Sequence, residues 1–227
     1  MKILVSWSSG KDSAWMLHVL RAEHIGTPAA LLTTINEAAD RVAMHAVRTE
    51  LLRAQADAAG LPLRPVTIPS PCPNEIYEER MASACRDAVA DGFTHVAFGD
   101  LFLEDVRRYR EDRLAGSGLT PIFPLWERPT PALAREMIAG GLQARLTCVD
   151  PRKLDASYAG RSFDAQLLAD LPADIDPCGE RGEFHTCVIA GPMFRKPIDV
   201  EPGIVVERDG FVFADLCLRD QVANASR

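Results

Sequence analysis

The sequence predicts an α/β protein with a doubly wound, mainly parallel five-stranded sheet and a smaller, β-rich α+β part at its C-terminal end. Two observations lead there. Apolar strand-like runs alternate with helical patterns through the first 150 residues, and after Asp150-Pro151 the alternation gives way to closely spaced strands.

Lys2 to Trp7 is rich in β-formers, and Asp12 to His24 then carries Trp15, Met16, Leu17 and Leu20 with helical spacing. Ala29 to Ile35 reads as a second strand and Met44 to Ala59 as a helix closed by Gly60. Leu63 to Ile68 is a third strand. Asn74 can cap a helix running to about Asp91, and Thr94 to Gly99 forms a fourth strand ahead of the helical stretch Glu104 to Ala115. Thr130-Pro131 starts a helix that Gly140-Gly141 stops, and Leu142 to Val149 reads as the fifth strand. Beyond it come a short helix around Phe163 to Leu171 and strands at Phe184 to Ile189, Ile204 to Val206 and Phe211 to Leu218. Arg208-Asp209-Gly210 makes a tight hairpin between the last two.

Lys and Arg number 25 against 32 Asp and Glu, a net charge of -7, which argues against nucleic acid or an anionic membrane as partner. The longest purely apolar runs, such as Ala29 to Leu32, fall far short of the roughly 20 residues a membrane helix needs. With no signal-peptide pattern at the N-terminus, a cytoplasmic location is expected. The six cysteines show no C-x-x-C pair, so reduced, mostly buried thiols are expected in place of a zinc site or disulfide framework.

The sharpest chemical signal is Ser8-Ser9-Gly10-Lys11-Asp12-Ser13, between the first strand and the first helix. Small residues let backbone amides approach a phosphate, the helix N-terminus adds roughly half a positive charge, and Lys11 adds a full one. A Walker A loop is excluded, because Val5 stands where its first Gly belongs and Asp12 where Ser or Thr should follow the Lys. The motif resembles the S-G-G-K-D-S loop of the PP-loop, or N-type, ATP pyrophosphatases, with Ser9 replacing a Gly whose backbone geometry it must adopt.

Two further constellations follow. Val96 to Arg110 puts Gly99 and Asp100 at a strand end and Glu104 and Arg110 on the next helix, where a carboxylate suits Mg²⁺ or a nucleophile and an arginine suits phosphate or a substrate acid. Cys178 to Thr186 reads C-G-E-R-G-E-F-H-T, a polar glycine-bearing loop entering a strand. That run, with Pro124-Leu125-Trp126 and Gly191-Pro192-Met193-Phe194, resembles the diphthine ammonia ligase family and its bacterial relatives of uncertain substrate. Arg181 replaces a family Gly and His185 a family Glu.

The resemblance implies an adenine nucleotide alpha hydrolase-like fold, with an ATP-binding PP-loop domain over residues 1–150 and a substrate-binding region over 151–227. It implies cleavage of ATP to AMP and pyrophosphate, adenylation of a substrate carboxylate, and amidation by ammonia or another amine. Lys11 and Asp100 are the expected catalytic residues. Ser8, Ser9, Gly10, Lys11, Asp12, Ser13, Thr33, His45 and Gly99 are expected to bind ATP, and Asp12 and Asp100 to hold Mg²⁺. Glu104, Arg110, Gly179, Glu180, Gly182, Glu183, His185 and Thr186 are expected to bind the acceptor. Trp126 suits either stacking or plain packing. The rival readings are a thiolase or RNA-modifying member of the superfamily, using Cys178 as sulfur carrier, and a nucleotide-binding sensor without turnover. The acceptor, the nitrogen source and the oligomeric state stay open, with a homodimer as one candidate.

Overall fold

The computed structural model describes residues 1–37, 41–42 and 47–219. Its central sheet contains β1 (Lys2–Ser6), β2 (Thr27–Asn36), β4 (Leu63–Ile68), β5 (His95–Ala97) and β6 (Thr120–Ile122), all parallel, in the order β4-β2-β1-β5-β6. A two-residue strand, β3 (Arg41–Val42), runs antiparallel to the end of β2. The chain builds outward from β1 to one side through β2 and then to the other through β5. This makes the carboxyl end of β1 the switch point at which open α/β sheets bind ligands.

Alternate residues of β1 face opposite helical layers, which is why its run is apolar throughout. Ile3 and Val5 join the core formed with α1 (Lys11–Ala22), α2 (Thr49–Ala59) and α5 (Thr130–Ala139), while Leu4 packs toward α3 (Asn74–Ala90) and α4 (Glu104–Leu114). α2 begins at Thr49, later than its sequence pattern suggests: Arg48 is extended, and Met44 lies outside the described residues. The residue before the first turn of α3 is Pro73, so Asn74 opens the helix from inside and does not cap it.

The fifth parallel strand is β6, not the run ending at Val149. β6 is only three residues long and contains Pro121, which is tolerated because the strand lies at the sheet edge. The run near Val149 is β7 (Gln143–Val149), and it belongs to a second, fully antiparallel sheet with β8 (Phe184–Ala190), β9 (Val200–Arg208) and β10 (Phe211–Leu218), in the order β8-β7-β10-β9. A buried apolar run reads the same in either sheet, because pairing partners leave no local mark on the sequence. The Asp209-Gly210 turn has φ of 54° and 77°, as a two-residue hairpin of primed type requires.

The second sheet packs against the α1 side of the first and shares its core: Leu146, Val149, Phe184 and Val188 cluster with Met16, Leu17 and Leu52. Two polar ties cross the junction. Asp215 of β10 accepts from Arg41 at 2.8 Å and from Arg48 Nε at 3.0 Å. Gln55 of α2, fully buried, accepts from Trp7 Nε1 at 3.0 Å and donates to the carbonyls of Ser9 at 3.1 Å and Val188 at 2.8 Å.

Replacing Gln55 by Leu fills the space but strands the buried Trp7 indole N–H and takes one acceptor bond each from the Ser9 and Val188 carbonyls. We expect Gln55→Leu to lower the unfolding free energy by about 2–3 kcal/mol in urea titrations, and a change near zero would show that the tie is not structural.

Candidate functional site

The loop after β1 turns at Ser9, whose φ of 70° lies in the left-handed region that favours glycine. The serine thus takes the conformation inferred for the glycine it replaces. It is held there because its carbonyl accepts from Val188 N at 3.0 Å as well as from Gln55, while its own buried hydroxyl finds no partner. Gly10 then starts α1. Ser13 Oγ donates to the Gly10 carbonyl at 3.0 Å and lies 3.2 Å from Ser8 Oγ, and Ser8 N donates to Ser13 Oγ at 3.3 Å, closing the loop on the first helical turn.

Above this loop lies a cleft of about 210 Å³. The first sheet and its helices contribute Ser6, Ser8, Lys11, Asp12, Ser13, Phe98, Gly99, Asp100 and Arg110, and the second contributes Cys178, Gly179, Glu180, Gly182, Phe184, His185 and Thr186. Gly99 lets the end of β5 approach the first turn of α1: a Cβ there would stand 3.0 Å from the Asp12 carbonyl carbon. Gly179, at φ 67°, turns the chain so closely over Phe184 that a Cβ would meet its carbonyl oxygen at 2.8 Å.

Lys11 joins the two halves. Its amide donates to Thr186 Oγ1 at 3.0 Å, and its ammonium donates to Asp12 Oδ2 at 2.8 Å and to the Cys178 carbonyl. Burial alone pulls the lysine pKa down, but the charges of Asp12 and Glu180 more than offset it, so Lys11 stays protonated. Burial pushes the Asp12 carboxyl up against the opposing pull of Lys11, and Asp12 Oδ1 is left buried without a partner.

Across the cleft, Arg110 Nε and Nη2 donate to the two oxygens of Asp100 at 2.8 and 3.4 Å, and the guanidinium lies 4.6 Å over the Phe98 ring. Glu180 Oε1 accepts from Leu101 N at 2.8 Å, and its own amide donates to Asp176 Oδ2 at 2.9 Å. Burial pushes its carboxyl up to about 7, opposed by the Leu101 amide and reinforced by Asp12 and Asp100. His185 is pushed down to about 4 by burial, with Lys11 and Lys153 adding, so it is neutral at pH 7.

Of the residues singled out from the sequence, Ser8, Lys11, Asp12, Ser13, Gly99, Asp100, Arg110, Gly179, Glu180, Gly182, His185 and Thr186 meet in this cleft. Ser9 and Gly10 are buried in the turn beneath it, and Thr33 is buried in β2, next to the β1 end. Glu104 is exposed on the first turn of α4, outside the lining residues, because Arg110 takes that helix's inward face. Glu183 is buried outside the lining, accepting from Asp176 N at 3.2 Å. His45 lies outside the described residues. Trp126 stays out of the lining and packs on Phe123, with Arg107 4.7 Å over its ring. Arg181 lies over Phe102 and is not part of the lining, whereas His185 is.

Two participants escaped the sequence reading. Gln55 had a signal, a polar residue on the apolar stripe of Leu51, Leu52, Ala56 and Ala59. The Cys178 carbonyl had none, since backbone acceptors carry no residue signature. The Cys178 thiol donates to the Thr130 carbonyl at 3.6 Å, and burial pushes its pKa well up, the reverse of an activated cysteine.

The diphthamide synthase N-terminal domain model matches residues 1–119, and the C-terminal domain model matches residues 130–217. The chain belongs to the diphthamide synthase family. Relatives named diphthine ammonia ligase include that of Danio rerio, 29% identical over a gapped alignment of 239 positions that spans 94% of this chain and 92% of that protein. The human protein is 32% identical over 136 residues, 54% of this chain and 51% of its own length. The Schizosaccharomyces pombe protein is 30% identical over 112 residues, 46% of this chain but 18% of its own length. The chain therefore spans about half of the human relative and under a fifth of the yeast one. A solved structure described as a predicted subunit of tRNA methyltransferase from Methanocaldococcus jannaschii superposes with a TM-score of 0.45 at 16% identity, covering 87% of this chain and all of that one.

Restoring the family glycine removes both the left-handed strain and the orphan hydroxyl at position 9. We expect Ser9→Gly to raise stability by about 1 kcal/mol, read from urea midpoints, with no change or a loss refuting the strain argument.

Glu180 and His185 act oppositely on stability. The Glu180 carboxyl holds its proton more tightly folded than unfolded (about 4.3), so its contribution is lost as pH rises from there through about 7. His185 binds its proton more weakly folded than unfolded (about 6.5), so its contribution is lost as pH falls from there toward about 4. Between pH 4.5 and 6.5, stability should therefore climb with pH more steeply in Glu180→Gln, and less steeply in His185→Gln, than in the parent protein. Parallel curves for all three proteins would contradict these shifts.

Proposed function

We propose that this chain is an ATP-dependent amide ligase of the diphthine ammonia ligase type. It cleaves ATP to AMP and pyrophosphate, adenylates a substrate carboxylate, and passes the acyl group to ammonia or another amine. The observation that carries this reading is the convergence on Lys11, which sits in the phosphate-type loop and is bonded to both ends of the Cys178 to Thr186 segment. A nucleotide held at the helix N-terminus and an acceptor held by that segment share one cleft.

The loop amides and Lys11 stabilise charge on the α-phosphate and on the departing pyrophosphate. The substrate carboxylate attacks the α-phosphorus, and nitrogen then attacks the acyl carbon and displaces AMP. No side chain forms a covalent intermediate. Arg110, fixed by Asp100 and stacked on Phe98, meets an anionic group of the acceptor. Asp12, with its unpartnered buried Oδ1, fits Mg²⁺, which is commonly held by one or two carboxylates together with phosphate oxygens. When bound there, the ion supplies neutralisation of phosphate charge. Asp100 has both oxygens on Arg110 and is assigned to orienting that guanidinium. The buried Cys178 thiol speaks against a sulfur-carrying thiolase.

Incubating protein, ATP, Mg²⁺ and a cell metabolite extract should release AMP and pyrophosphate, resolved by chromatography; ADP as the main product sinks the proposal. Lys11→Met should lose at least about 100-fold in that rate while its circular dichroism spectrum stays that of the parent.

A further inference from the structure

Three carboxylates line the cleft: Asp12, Asp100 and Glu180. Two are neutralised by a cation, Asp12 by Lys11 at 2.8 Å and Asp100 by Arg110 at 2.8 Å. Glu180 has no cationic partner among the described residues. One of its oxygens is anchored on the Leu101 amide, next in sequence to Asp100, and its backbone is pinned by Asp176. Glu180 lines the cleft, and the hydrogen bond to Leu101 engages only one of its two carboxylate oxygens. Amide formation requires a proton acceptor there, because nitrogen must shed a proton as it becomes an amide.

We infer that Glu180 is the catalytic residue that takes the proton from the attacking nitrogen, an inference that rests on the ligase reading above. In this step the nitrogen lone pair forms the bond to the acyl carbon, and the bond from that carbon to the AMP phosphate oxygen breaks, its electron pair leaving on the phosphate. One nitrogen proton passes to the Glu180 carboxylate and later to solvent. The other candidates are poorer bases: Asp12 and Asp100 are ion-paired, and half-buried His185 feels the charges of Lys11 and Lys153, which disfavour its taking up a proton. The groups acting on Glu180 are Asp12 and Asp100, which favour its protonated form, and Lys11, which opposes it. Its carboxyl, near 7, lies where a general base is most effective at neutral pH.

The test compares ammonium chloride with hydroxylamine as nucleophile, in the parent protein and Glu180→Gln, with the metabolite extract as acid source. Hydroxylamine is largely unprotonated at neutral pH and strongly nucleophilic, so it depends little on a base. We expect ammonium-supported AMP release to fall by about 100-fold or more in Glu180→Gln and hydroxylamine to restore turnover as hydroxamate. ATP affinity, measured by calorimetry, should match the parent, which separates lost chemistry from lost folding. The inference is overturned if both nucleophiles lose equally, if neither loses, or if Glu180→Gln no longer binds ATP. A parent protein that releases no AMP with either nucleophile overturns the ligase reading itself, and this inference with it.

Discussion

The Ser9 carbonyl accepts one hydrogen bond from the Val188 amide of the second sheet and another from Gln55 on α2. Those two bonds hold the residue in a left-handed turn that a serine does not choose for itself. That turn sets the start of α1 and brings the Lys11 ammonium onto the Cys178 carbonyl. Both walls of the site thus depend on a turn whose conformation is imposed from outside the loop. The buried, unpartnered Ser9 hydroxyl marks the local cost.

Charge in the cleft is arranged in pairs with one remainder. Lys11 faces Asp12, Arg110 faces Asp100, and the half-buried imidazole of His185 stays neutral. Glu180, tied only to a backbone amide, is left as the group whose protonation responds to pH near neutrality. Burial sets this pattern, because in a low-dielectric cleft a charge without a partner shifts its pKa to escape ionisation.

Much of the fold was legible because its signals are local. The alternation of apolar strands with helical stripes marked four of the five parallel strands, and the Asp209-Gly210 hairpin followed from turn chemistry. The strands that misled did so for lack of a local mark: β6 is three residues long with a proline inside, and β7 reads as buried whichever sheet it joins. In the site, the Ser8 to Ser13 cluster and the acidic loop stood out by composition. The Cys178 carbonyl and the exposure of Glu104 did not, since one is backbone and the other depends on which face α4 turns inward.

By itself, then, the sequence determined where polar and charged residues cluster at strand ends, because residue type and periodicity are properties of the chain. Only the tertiary structure decided which charges neutralise one another. Lys11 meets Cys178 at a sequence separation of 167, and Leu101 meets Glu180 at a separation of 79. Such contacts are fixed by how two sheets pack against α1. The same packing assigns Asp100 to Arg110 and leaves Glu180 without a cation, and no local pattern encodes that choice.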